Sequence, residues 1–101
     1  MASKTISKNY GPVNVTATPS ETESSIRVTV SLDGEVITEN NLTPQSPNLK
    51  WNSTVGNDSS SGLINARFAG GSMKNSLWGQ PINWDSQDSG PGNFTGRIDT
   101  W

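Results

Sequence analysis

Residues 25–32 read Ser-Ile-Arg-Val-Thr-Val-Ser-Leu, and Asp33-Gly34 follows directly. Ile26, Val28, Val30 and Leu32 recur at every second position, with Arg27, Thr29 and Ser31 between them. Residues two apart share a face in extended backbone, so this stretch is an amphipathic β-strand. Asp-Gly is a strong hairpin signal, because both central residues of a type I′ turn need positive φ. The chain should therefore return as a second strand over 35–39. A strict two-residue turn pairs Val30 with Ile37, whereas a bulged three-residue turn pairs Leu32 with Val36; the sequence leaves both open. An isolated hairpin is marginal in water, so the remaining chain has to supply more strands.

It does so in short, punctuated pieces. Val13, Val15 and Ala17 alternate with polar residues over 13–18, after a polar lead-in that ends in Gly11-Pro12. Residues 20–24 read as a solvated loop. Residues 40–48 contain Pro44 and Pro47 and read as another. A short strand is expected at 49–51, where Leu49 and Trp51 point to the core, then a polar loop over 52–61. The next strand, 62–68, would put Ile64, Ala66 and Phe68 on one face. Short strands at 76–78 and 82–84 flank a Gly79-Gln80-Pro81 turn, and 93–101 forms the last strand. No segment has the length and period of a helix.

This pattern predicts a small antiparallel β-sandwich of six to eight strands in a single domain, 1–101. A pseudo-threefold β-prism or barrel is the alternative, suggested by a partial repeat. Each arginine sits between apolar or small residues, as Ile26-Arg27-Val28, Ala66-Arg67-Phe68 and Gly96-Arg97-Ile98. A similar short strand precedes each, at 13–16, 49–52 and 82–85. Trp51-Asn52-Ser53 echoes Trp84-Asp85-Ser86, and Gly62 and Gly92 each lie five residues before their arginine.

Composition narrows the function classes. Ser, Thr, Asn and Gly make up 46 of the 101 residues, so the core is thin and the surface rich in hydroxyls and amides. The chain has neither histidine nor cysteine, which removes the commonest general base, the commonest transition-metal ligand and any disulfide. A net charge of −2 gives no basic field for nucleic acid. No apolar run has the length of a membrane span. The five Asn-X-Ser/Thr sequons, at Asn14, Asn41, Asn52, Asn57 and Asn93, are expected to stay unmodified. The opening residues lack the apolar stretch of a secretory signal, so the expected location is cytoplasmic, with non-classical release left open.

The chemistry concentrates in 77–101, which holds Trp78, Trp84 and Trp101 among polar and turn residues. An indole offers a flat apolar face with one donor at its edge. The C–H face of a sugar ring stacks on such a surface while carboxylates and amides bind its hydroxyls. Asn83, Asp85, Gln87, Asp88 and Asn93 lie within a few residues of Trp84 and supply those groups. Core packing of the tryptophans is the competing reading in a chain with so few large apolar residues. Asp85, Gln87, Ser89 and Gly90 fit the first half of a calcium loop, but its twelfth position is Gly96, so the closing carboxylate is missing. Asp85 and Asp88 have the residue type of a glycosidase pair, without a chain large enough to build the enclosing cleft.

The expectation is a non-catalytic, lectin-like protein without a cofactor or metal, whose partner is a glycan or glycoconjugate. Trp78, Asn83, Trp84, Asp85, Gln87, Asp88 and Asn93 form its binding set, with Trp84 or Trp78 as the stacking platform. Two further classes compete. One is a self-assembling module that forms a homo-oligomer through its C-terminal strand. The other is a membrane-active protein that seats its tryptophans in the lipid interface.

Overall fold

The computed structural model describes residues 5–19, 25–68, 75–86 and 90–100. Gln87, Asp88 and Trp101 lie outside them, as do the expected loop at 20–24 and Gly70-Gly71. The described chain is all-β: β1 (Ile6–Tyr10), β2 (Val13–Pro19), β3 (Ile26–Leu32), β4 (Glu35–Leu42), β5 (Asn48–Val55), β6 (Asp58–Arg67), β7 (Ser76–Ser86) and β8 (Gly90–Thr100). They form two four-stranded antiparallel meanders, ordered β1-β2-β3-β4 and β5-β6-β7-β8.

Glycine chemistry makes the tight turns. Tyr10 pairs with Val13 around Gly11-Pro12, and Val55 with Asp58 around Gly56-Asn57. In both, the first central residue is a glycine at φ 60°. Around Asp33 (φ 53°) and Gly34 (φ 83°), Leu32 pairs directly with Glu35, so the Asp-Gly turn has two residues. A bulge one step further then shifts the register, and Val30 faces Thr38 instead of Ile37.

Alternation places the core where the sequence predicts it. Val13, Val15 and Ala17 on β2, and Ile26, Val28, Val30 and Leu32 on β3, are all at most 1% exposed. Leu49 and Trp51 on β5 are buried together, as expected. Leu42, Ile64, Ala66, Leu77, Ile82 and Ile98 complete one apolar cluster fed by both sheets. Tyr10 of β1 stacks on Phe94 of β8, with ring centroids 4.3 Å apart, and ties the two sheets at that edge.

Several expected loops are strands. The lead-in contains β1, residues 52–61 are the facing ends of β5 and β6, and 40–42 extend β4. The expected Gly79-Gln80-Pro81 turn is a bulge inside one continuous strand. β7 carries an extra residue there against both β6 and β8. Pro81 has no N–H to donate, and a bulge is where an inner strand tolerates it.

The three strand–loop–strand units of the partial repeat are three antiparallel hairpins, β2–β3, β5–β6 and β7–β8. One lies in the first sheet and two in the second. The shared Trp and Gly positions have a structural counterpart. Trp51 is the cross-strand partner of Gly62, and Trp84 of Gly92. A Cβ at Gly62 would sit 2.7 Å from the Trp51 ring, and one at Gly92 would sit 2.4 Å from the Trp84 ring. Each indole lies on the space a missing side chain leaves.

Candidate functional site

The outer face of the second sheet is built from residues that alternate with the core positions. On β6, Ile64 and Ala66 are buried, so Ser59, Ser61, Leu63, Asn65 and Arg67 point outward. On β7, Ile82 is buried while Asn83 and Asp85 are exposed. The register then lines up outward residues across all four strands. Asn52 of β5 faces Ser61 of β6, Ser61 faces Asn83 of β7, and Asn83 faces Asn93 of β8. Neighbouring strands lie roughly 4.8 Å apart, so these side chains form a regular polar row. A second row beside it runs Thr54, Ser59, Asp85, Pro91.

An open cleft of about 370 Å³ lies over these rows, lined by Asn52, Ser59, Ser61, Asn83, Asp85, Pro91 and Asn93 among others. Each asparagine brings one acceptor oxygen and two donor hydrogens, each serine a hydroxyl that does either. The cleft therefore presents donors and acceptors to a neutral polyhydroxylated ligand, with Asp85 as its anionic acceptor.

The backbone beneath the row is tied down from the core side. The Trp51 Nε1–H donates to Ser60 Oγ at 2.9 Å, and the Ser60 hydroxyl donates to the backbone oxygen of Asn83 at 2.8 Å. Ser60 is 3% exposed and Trp51 4%, so the bond between them is shielded from water. It fixes the peptide that carries Asn83.

The residues singled out by sequence separate into groups. Asn83, Asp85 and Asn93 come together in the cleft. They do so as side chains on β7 and β8, which run further than the strands expected at 82–84 and 93–101. Trp84 also borders the cleft, but its ring belongs to the opposite side of the sheet. It is half-buried against the core, and the same indole edge that lies on Gly92 meets Gly11 of the first sheet, whose Cβ would sit 2.6 Å away. A residue flanked by two outward neighbours in a strand must point inward, so Trp84 cannot stack a ligand held by Asn83 and Asp85.

Trp78 does stand on the outer face, 37% exposed, and its Nε1–H donates to Ser76 Oγ at 3.1 Å. It lies outside the cleft, further along β7. Asn52, Ser59, Ser61 and Pro91 were not anticipated as site residues. Their signal was Gly56-Asn57 between two Ser/Thr/Asn runs, which is a hairpin whose inward positions, Ser53 and Ser60, happen also to be polar.

The first sheet's outer face is polar as well, but its side chains are engaged with one another. Asn14 donates to Ser7 and Asn9, and Thr16 donates to Asn14. Arg27 forms an ion pair with Glu39 and also donates to Asn41, while Thr29 donates to the second Glu39 oxygen at 2.8 Å. The Thr29 and Arg27 hydrogen bonds hold the Glu39 carboxyl below its ordinary pKa.

Among the described residues no three carboxylates converge on a metal-sized site, and no helix is long and apolar enough to cross a membrane. Comparison with protein-family models, with curated proteins and with solved structures finds no match to this chain.

Proposed function

We propose that this chain is a glycan-binding protein without catalytic activity, and that its binding surface is the outer face of the second sheet. The observation that supports this reading is the in-register row Asn52–Ser61–Asn83–Asn93 inside an open cleft. Amides and hydroxyls on rigid strands suit a ligand that offers hydroxyls at close spacing. Their fixed positions cut the ordering cost of binding. A cleft this open buries little ligand, so a single sugar unit binds weakly.

The test is a glycan array, run with and without calcium, followed by titration of the tryptophan fluorescence of the full chain. Asn83→Ala and Asn93→Ala should each weaken binding by up to about tenfold, as expected for one hydrogen bond. A chain that binds no glycan on the array under either condition refutes the reading.

One observation favours assembly as a second reading. β8 is an edge strand of 11 residues, hydrogen-bonded to β7 on one side only within the described sheets. Long edges are templates for pairing with another strand. Sedimentation separates the two readings, since an oligomer lost when Trp101 is removed belongs to assembly through the C-terminal strand.

A further inference from the structure

We infer that the glycan is an acidic oligosaccharide, and that its anionic unit lies on Trp78 between Arg67 and Arg97. This rests on the glycan-binding reading and names the ligand class for the same face.

The two arginines come from the partial repeat, yet they differ from the third. Arg27 is paired with Glu39 on the first sheet, the one ion pair among the described residues. Arg67 and Arg97 are exposed on the second sheet. Arg97 is the direct cross-strand partner of Trp78. Arg67 faces Ser76 on the other side of β7, which places it diagonally across from Trp78. An exposed indole thus stands on the strand between two strands that each carry an exposed arginine beside it. The Trp78–Ser76 hydrogen bond holds the ring in one orientation before a ligand arrives.

The polar cleft extends along the sheet in the direction of this end. A second hollow of about 320 Å³ adjoins it, shares Asn52 and Ser61 with it, and adds Lys50 and Gln80. Trp78 lies five positions before Asn83 on β7 with a bulge between, a separation of roughly 13–17 Å at about 3.3 Å per residue. That span takes linked sugar rings, not one.

Charge sets the direction. Lys50, Arg67 and Arg97 are the cations among the described side chains of this face, and Asp85, at the far end of the cleft, is their one carboxylate counterpart. Guanidinium forks bind carboxylate or sulfate through charge-assisted hydrogen bonds. The indole takes the apolar face of the ring that carries the anion. The neutral part of the chain then runs past Lys50 into the asparagine row.

The experiment uses an array on which neutral oligosaccharides stand beside their sialylated, uronate-bearing and sulfated forms, probed with the full chain at low and high salt. An acidic form should bind about tenfold more tightly than its matched neutral core at low salt, the size of one charge-assisted hydrogen bond. The preference should shrink at high salt, because these cations are exposed. The double variant Arg67→Gln/Arg97→Gln should bring the acidic form down to the affinity of its neutral core, with an unchanged melting temperature. Equal binding of acidic and neutral forms, or a preference that persists in the double variant, overturns the inference and leaves the glycan reading standing. A single-stranded oligonucleotide bound as tightly as the best acidic glycan also overturns it. Binding to no glycan at all overturns both.

Discussion

Ser60→Ala removes one hydroxyl and breaks two buried hydrogen bonds at once. The Trp51 Nε1–H loses its acceptor and the Asn83 carbonyl loses a donor, 2.9 and 2.8 Å away in the native fold. The Trp51 donor cannot turn to water, since Ser60 and Trp51 are 3% and 4% exposed. A buried donor left without a partner costs about 1–3 kcal/mol, and the carbonyl bond adds about 0.5–1.5 kcal/mol. The total, about 2–4 kcal/mol, is a large share of the roughly 5–15 kcal/mol that holds a domain together. At roughly 4–8 °C per kcal/mol for this chain length, the melting temperature should fall by about 8 °C or more. Urea unfolding followed by far-UV circular dichroism gives the number. Trp51→Phe removes the donor from the other side but also leaves a gap in the core, so the two single variants are compared with the double. The double should cost less than the sum of the singles by about 1 kcal/mol or more, because the second change removes a bond already lost. A Ser60→Ala variant within about 0.5 kcal/mol of the native chain, or strict additivity in the cycle, refutes the relay.

Gly92→Ala would place a methyl 2.4 Å from the Trp84 ring, which already rests on Gly11 and has little room to retreat. Thermal unfolding should show a loss of about 1–3 kcal/mol, typical of overpacking, whereas Gly92→Ala with a native melting temperature would show that Trp84 is free to move. Glu39 has a folded pKa below its unfolded one. Its contribution to stability is therefore complete above the unfolded pKa and fades as pH falls through the folded pKa. Glu39→Gln should lose stability relative to the native chain near neutral pH and converge with it in acid, a difference that paired denaturation curves across the acid range would reveal.

What could be read from the sequence was decided by burial contrast along each strand. β2 and β3 put Val, Ile, Leu or Ala inward and Ser, Thr, Asn or Arg outward, so their period stands out and their core residues were identifiable one by one. Trp51 followed for the same reason, beside Leu49. The ends of β5 and β6 have Ser53 and Ser60 inward, and a strand with polar residues on both faces has no period to read. Residues 52–61 therefore read as a loop, and nothing in the sequence sets Asn52 and Ser61 apart. The same alternation decides which side chains of 83–85 share a face. Closeness in sequence brings Asn83, Trp84 and Asp85 together only where the chain is not extended through all three. In β7 the pleat sends Trp84 one way and both its neighbours the other. Asn83, Asp85 and Asn93 lie together on the outer face because they share the outward parity.

The thin core and the polar face answer to one constraint. A chain this rich in asparagine and serine has few large apolar residues, and the second sheet adds two indoles, Trp51 and Trp84, to an inner side of aliphatic residues, Leu49, Ile64, Ala66, Leu77, Ile82 and Ile98. An indole needs more depth than a pleated sheet usually leaves, and Gly62 and Gly92 supply it by having no side chain opposite Trp51 and Trp84. The Trp51 ring nitrogen must then find an acceptor indoors, which Ser60 provides, and Ser60 passes the bond to the peptide of Asn83. The packing solution for the core thereby becomes the anchor of the outer row. Changing the glycines or Ser60 should reach the outer polar row without touching a residue on it, which is how the coupling between core and surface in this fold can be measured.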